Sequence, residues 1–197
     1  MNEAMVEARE RVLHLVVCAA GVATEAHRLA QMACEAGWNV WVIPTPSALD
    51  FVDTEQLAEI TSHPVRARWR RSGESGSLPA ADAVVVAPAT YNTINKWAAG
   101  MADSYALGQL AEATGRRLRV AVLPFVNAAL AANSIYTERL ARLRAAGVLI
   151  LDGTAGEGGV RGGVAPHQPK TGGDLHASFP WADALAAIED SRRRGRG

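Results

Sequence analysis

Five short apolar runs punctuate the chain, at 12–19, 40–43, 83–87, 120–123 and 148–151. Each is close to continuous rather than alternating, the pattern of a strand covered on both faces. Between the first two, Ala26, Leu29, Ala30, Ala33 and Cys34 recur at helical spacing over 24–36, and Gly37 supplies a C-terminal stop. Stretches 104–114 and 136–146 repeat the pattern and end at Gly115 and Gly147, and a last helix is expected over 181–190. Strand, helix, strand with short turns implies parallel strands joined by crossovers. The expectation is a three-layer, doubly wound, Rossmann-like α/β domain with a parallel sheet, one domain over 1–190.

Two regions break the rhythm. Residues 66–77 are first basic, with Arg66, Arg68, Arg70 and Arg71 around Trp69, then Gly/Ser-rich, and read as an exposed loop. Residues 152–174 are rich in glycine, hold Pro166 and Pro169 and almost no large apolar side chain, and read as a flap or partly disordered segment. The chain ends in an Arg-rich tail, 191–197, read as flexible.

Composition narrows the function classes. The 197 residues are 49% hydrophobic and carry 20 basic against 20 acidic side chains, enough apolar material for a full core without disulfides. The balanced charge removes the long-range attraction that a nucleic-acid partner needs. No run is long enough for a membrane span, and 1–11 lacks the apolar stretch of a signal peptide, so a cytoplasmic protein is expected. Cys18 and Cys34 are too few for a disulfide scaffold, and His167 and His176 form no recognisable metal motif, so no metal is assigned.

In such a sheet a ligand binds beyond the carboxyl ends of the strands. After the first run come Cys18, Ala19, Ala20, Gly21, Val22 and Ala23, small residues leading into a helix. They suit the close approach of an anion such as phosphate, or simply a tight turn. Neither G-x-G-x-x-G nor a P-loop is present. After the second run, Thr45 and Ser47 offer hydroxyls to a phosphate or to a turn as caps, the capping role being the first expectation. The third run ends in the densest polar cluster: Ala87, Pro88, Ala89, Thr90, Tyr91, Asn92, Thr93, Ile94, Asn95, Lys96 and Trp97, then Gly100, Met101, Ala102, Asp103 and Ser104. Capping accounts for one or two of these groups, and an assembly of amides and hydroxyls at a strand end can read the edge of a heterocycle.

The segment from Ala87 to Thr93 resembles the Pro-Ala-Ser-Ala-Asn-Thr motif of the homo-oligomeric flavin-containing cysteine decarboxylases, and 95–103 resembles its continuation. Thr45 to Val52 and Gly21 to Ala23 resemble the family's second and first strand ends. The resemblance implies FMN in a Rossmann-like fold, and trimers or dodecamers built from trimers, with small-molecule or peptide substrates. It assigns Gly21, Thr45 and Ser47 to the phosphate end, with Val22 beside them. Ala87, Pro88, Ala89, Thr90 and Asn92 would line the flavin, with Met101 in the same set and Asp103 and Ser104 closing the site. Asn92 would contact the substrate carboxylate.

Three departures bear on activity. The family's catalytic His is expected eight residues before Asp82, where this chain has Glu74. His63 lies further upstream and reads as a surface loop residue. Tyr91 replaces a small motif residue and adds a phenol that either fills the pocket or donates a proton, filling being preferred. The second family motif survives as Pro124-Phe125-Val126-Asn127-Ala128-Ala129-Leu130-Ala131, which keeps Pro and Asn and lacks both Met and Trp, leaving Asn127 as a ligand-facing candidate. Cys18 is expected to be a small core residue rather than a reactive thiolate. Oxidative decarboxylation of a cysteine-containing substrate is the leading expectation. A non-catalytic FMN carrier or partner subunit, and flavin prenyltransferase, remain as alternatives.

Overall fold

The computed structural model describes residues 9–70, 72–73, 76–154 and 162–189. Arg71, Glu74, residues 155–161 of the expected flap and the tail 191–197 lie outside them. In chain order the elements are β1 (Arg11–Val17), α1 (Ala26–Glu35), β2 (Trp38–Pro44), α2 (Thr54–Thr61), β3 (Ala83–Ala89), α3 (Tyr91–Ala98), α4 (Tyr105–Gly115), β4 (Arg119–Pro124), α5 (Ala128–Ala131), α6 (Ser134–Ala145), β5 (Leu149–Ile150) and α7 (Trp181–Glu189). Single 3-10 turns occupy Gly21–Glu25, Pro46–Asp50 and Gly172–Leu175.

All four strand pairings are parallel, in the order β2-β1-β3-β4-β5. Strand β1 pairs along its whole length, Arg11 with Trp38 through Val17 with Pro44. The continuous apolar runs follow from burial on both faces. Leu13, Leu15, Val17, Val40, Val42, Val85 and Leu123 pack beneath Leu29, Ala30 and Ala33 of α1, Leu57 of α2 and Trp181, Leu185 and Ile188 of α7. Val16, Ile43, Val84, Val86, Val120 and Val122 meet Ile94 and Trp97 of α3, Leu107 and Leu110 of α4 and Tyr136, Leu140 and Leu143 of α6. These are the three expected layers.

Local chemistry sets the helix boundaries. Gly37 (φ 78°) and Gly147 (φ 90°) adopt the left-handed conformation that ends α1 and α6, as their positions predict. The stop expected at Gly115 falls two residues later, where Arg117 takes φ 54°, and Gly115 is the last residue of α4. Helix α2 was not read from the sequence, although Asp53 announces it: its carboxylate accepts from the Glu55 and Gln56 amides, both at 3.0 Å. Ser104, read as the first helical residue, is the cap of α4 and accepts from the Leu107 amide at 3.3 Å.

The strand order defines the ligand end. The connection from β1 runs to β2 on one side, and the next crosses back to β3 on the other. The junction of β1 and β3 is therefore the switch point where doubly wound sheets open a crevice.

Candidate functional site

At the carboxyl end of the sheet, four strands finish in a hydrogen-bonded ledge. The Thr45 amide donates to Val17 O (2.8 Å), the Cys18 amide to Pro88 O (3.1 Å) and the Phe125 amide to Ala89 O (2.8 Å). Small side chains form the middle of this ledge: Ala87 and Ala89 are fully buried and the Ala87–Pro88 peptide is cis. The β1 turn and the β3 end flank the switch point directly, so Gly21, Val22, Ala87, Pro88, Ala89, Thr90 and Asn92 lie at the same end of the sheet, on neighbouring strand ends. Val22 is buried in the core while Gly21 is exposed.

The hydroxyls after β2 are not spent as caps. Thr45 occupies the cap position of the Pro46–Asp50 turn without a side-chain cap bond, which corrects the expected capping role. Ser47 is exposed beside it. Thr90, in contrast, does cap: it precedes α3, its hydroxyl accepts from the Thr93 amide at 3.5 Å, and it lies 3.1 Å from the Thr93 hydroxyl. Asn92 is exposed in the first turn of α3. Met101 is 50% exposed, Asp103 is ion-paired with Lys96 at 2.6 Å, and Ser104 is the α4 cap already described. Asn127 caps α5, its Oδ1 accepting from the Leu130 amide at 2.9 Å.

Tyr91 is half-buried at the start of α3. Its ring stacks on Tyr136 of α6 with centroids 5.5 Å apart, so it joins α3 to α6. Burial pushes the Tyr136 phenol up, with the Asp152 carboxylate adding to the effect. A cleft of about 610 Å3 opens beyond this pair, lined by Val126, Tyr136, Leu140 and Val164, with the Arg144–Asp152 ion pair (2.6 Å) among its polar groups.

Cys18 is fully buried, and burial raises its thiol above the ordinary value, so it is a packing residue as expected. His63 is not the surface residue expected of it. It is half-buried, stacked on Trp41 at 4.0 Å and bonded to Asn39 Oδ1 at 2.7 Å, toward the opposite end of β2 from Thr45. Glu74, at the position expected for the family His, lies outside the described residues. Among the described residues, no group of three or more His, Cys, Asp and Glu side chains is placed to hold a metal.

The described part of the expected flap is a strap. Residues 162–176 return across the ledge: Ala128 N donates to His167 O (2.7 Å), His167 N donates to Val126 O (3.2 Å), and the 3-10 turn at Gly172–Leu175 packs on the turn at Gly21–Glu25. The strap thus runs from the loop after β4 to the turn after β1, the two strands that flank β3. The described part of the expected flap is therefore anchored beside β4 and β1 at the carboxyl end of the sheet. Gly/Pro-rich composition gave no signal for this, since the strap is held mostly through backbone groups.

A doubly wound α/β domain with small residues and uncommitted hydroxyls at its switch point is a ligand-binding domain of the kind that takes a phosphate-tailed planar group. The chain belongs to the Flavoprotein family, whose pattern it matches over residues 2–168. It is 30% identical over 159 residues to the coenzyme A biosynthesis bifunctional protein CoaBC of Mycolicibacterium smegmatis, covering 76% of this chain and 36% of that protein. The chain thus spans about a third of the length of this curated relative. Among solved structures, the FMN-dependent cysteine decarboxylase TvaF from thioviridamide biosynthesis superposes with a TM-score of 0.67 at 25% identity, covering 91% of this chain and 99% of that one. AnUbiX in complex with FMN and dimethylallyl pyrophosphate shares the fold, with a TM-score of 0.61 at 14% identity, over 72% of this chain and 77% of that one.

No helix among the described residues is long and apolar enough to cross a membrane.

Proposed function

We propose that this protein binds FMN between β1 and β3 and oxidatively decarboxylates a thiol substrate of the cysteine type, a peptide ending in cysteine or a phosphopantothenoylcysteine-like molecule. The reading is supported by the end of β3, residues 87–90, standing at the switch point beside the β1 turn that holds Gly21, with the free Thr45 and Ser47 hydroxyls after the neighbouring β2. These residues suit the cofactor. The hydroxyls are uncommitted and ready for a phosphate, and the alanine–proline ledge lets a flat ring approach the backbone. The exposed Asn92 amide offers a donor and an acceptor at the ring's edge.

When bound, oxidised FMN supplies a two-electron acceptor for the carbon–hydrogen bond beside the thiol sulfur. The chain holds and orients the substrate. Asn92, projecting from a helix whose start is fixed by the Thr90 cap, donates to the substrate carboxylate and aligns it for loss as CO2.

The open rim supports a homo-oligomer, a trimer or an assembly of trimers. Among the described residues, five of the six exposed large hydrophobic side chains, Leu49, Phe51, Met101, Leu130 and Ile135, lie in the connections that follow β2, β3 and β4. A second copy against this rim would cover both them and the cofactor. A non-catalytic FMN carrier is the competing reading, favoured by one observation, that the Asn127 carbonyl oxygen is spent as a cap.

Anaerobic mixing of the FMN-loaded protein with each substrate tests the proposal. Bleaching of the flavin with release of CO2 is expected. Bound flavin that neither substrate reduces points to the carrier. Prenylation of reduced FMN by dimethylallyl phosphate, detected by mass, would instead identify a prenyltransferase.

A further inference from the structure

Oxidising the CH2–SH group to a thioaldehyde removes a hydride from carbon and a proton from sulfur, so a base must stand near the sulfur. Imidazole is the side chain whose ordinary pKa suits that task near neutral pH. The chain has five histidines. His14 is buried within β1 and bonded to Pro79 O at 3.0 Å, His63 is stacked on Trp41, and His27 Nδ1 lies 3.2 Å from Thr24 O at the start of its own helix. His167 and His176 remain, and both lie on the strap, which is bonded to the loop after β4 and packs on the turn after β1.

They stand at its two ends. His176 Nε2 would lie 3.4 Å from a Cβ placed on Gly21, at the side where the cofactor phosphate is expected. His167 stands over the β4 end, its backbone bonded on both sides of Asn127, to Val126 and to Ala128. Its ring packs on Phe125, centroids 4.5 Å apart, and the Phe125 amide is bonded to Ala89 of the ledge. The imidazole is thus fixed one side chain away from the end of β3. Gly172 makes room for it: a Cβ there would lie 2.9 Å from Phe125 Cζ and 3.1 Å from His167 Nε2.

We propose that His167 accepts the thiol proton of the substrate, an inference that rests on the decarboxylase reading. The S–H proton passes to the imidazole while the hydride leaves the neighbouring carbon for the oxidised flavin, and the C–S bond becomes double. Loss of CO2 then leaves an enethiolate, whose sulfur takes the proton back from the imidazolium. His167 ends as it began, and the two electrons stay on the cofactor.

The test compares the full-length FMN-loaded protein with H167N and H167Q. Both variants should keep the wild-type FMN content, while anaerobic flavin reduction by a cysteine-terminated peptide or phosphopantothenoylcysteine slows by at least about 100-fold. Independently of turnover, the His167 ring signals of 15N-histidine-labelled protein, identified by their loss in H167N, should shift when an unreactive serine-terminated peptide is added. A variant that reduces flavin within about threefold of the wild type, or ring signals that do not move, overturns the assignment while leaving the decarboxylase reading intact. Wild-type protein that reduces its flavin with neither substrate sinks the reading and this assignment together.

Discussion

Replacing Gly21 with alanine separates what the β1 turn does for the fold from what it does for a ligand. Gly21 is exposed, its φ is not in the left-handed region, and an added Cβ meets nothing nearer than His176 Nε2 at 3.4 Å. Losing glycine's freedom in the unfolded chain should therefore stabilise the cofactor-free protein by about 0.4–1 kcal/mol. At this chain length that raises the melting midpoint by roughly 1–4 °C. The same methyl group stands where the backbone would approach the FMN phosphate. Losing one charge-assisted hydrogen bond there costs about 1.4–2.8 kcal/mol, a 10- to 100-fold weaker Kd. At FMN 100 times the wild-type Kd, binding adds about 2.7 kcal/mol to the wild type and only about 0.4–1.4 kcal/mol to the variant. Thermal melts with and without FMN, alongside a titration of flavin fluorescence, read both effects. A variant that melts higher without FMN yet binds it as tightly as the wild type would refute the placement of the phosphate.

Asn92→Ala removes an exposed amide, so the melting midpoint should move by no more than about 0.5 kcal/mol equivalent while decarboxylation falls and FMN content holds; assaying the colour and CO2 release of one preparation checks this. Burial holds the His14 imidazole below its ordinary value, against the opposing hydrogen bond to Pro79. Because its folded pKa is depressed, the stability it contributes is full above the unfolded value near pH 6.5 and is lost as pH falls toward the folded value. Urea midpoints should therefore decline below about pH 6.5, by at most roughly 1.4 kcal/mol per pH unit from this group, and His14→Gln should flatten that decline. Trp181 is buried with its indole N–H unpartnered, so Trp181→Phe should cost less than about 1 kcal/mol by chemical denaturation, well under the roughly 3–5 kcal/mol typical of Trp→Ala in a core.

The sheet was legible because strands buried on both faces leave an unmistakable residue pattern, and all five apolar runs became strands within a few residues of their expected ends. Helix α3 was harder. Thr90, Tyr91, Asn92, Thr93 and Asn95 are weak helix formers, and what makes 91–98 a helix is the Thr90 cap together with burial of Ile94 and Trp97 against the sheet. The flavin-facing segment was readable as a motif, but individual duties were not. Thr45 and Thr90 are both hydroxyls before a helical turn, yet only Thr90 caps, because that choice depends on backbone geometry. Residues 152–174 were legible as a flap, but where its described part docks was not, for the same reason. Its hold on Val126 and Ala128 is made by main-chain groups, and the closeness of His167 and His176 to the ledge arises only once the chain has turned back.

The proposed function requires a flavin seated between β1 and β3. Its most direct test is the absorption spectrum of the purified protein after reconstitution, with the released cofactor identified and counted. One FMN per chain, lost when Thr45 and Ser47 are both changed to valine and alanine while the protein still melts cooperatively, is the predicted result. A colourless protein that takes up no FMN, or a double variant that binds it undiminished, would contradict it.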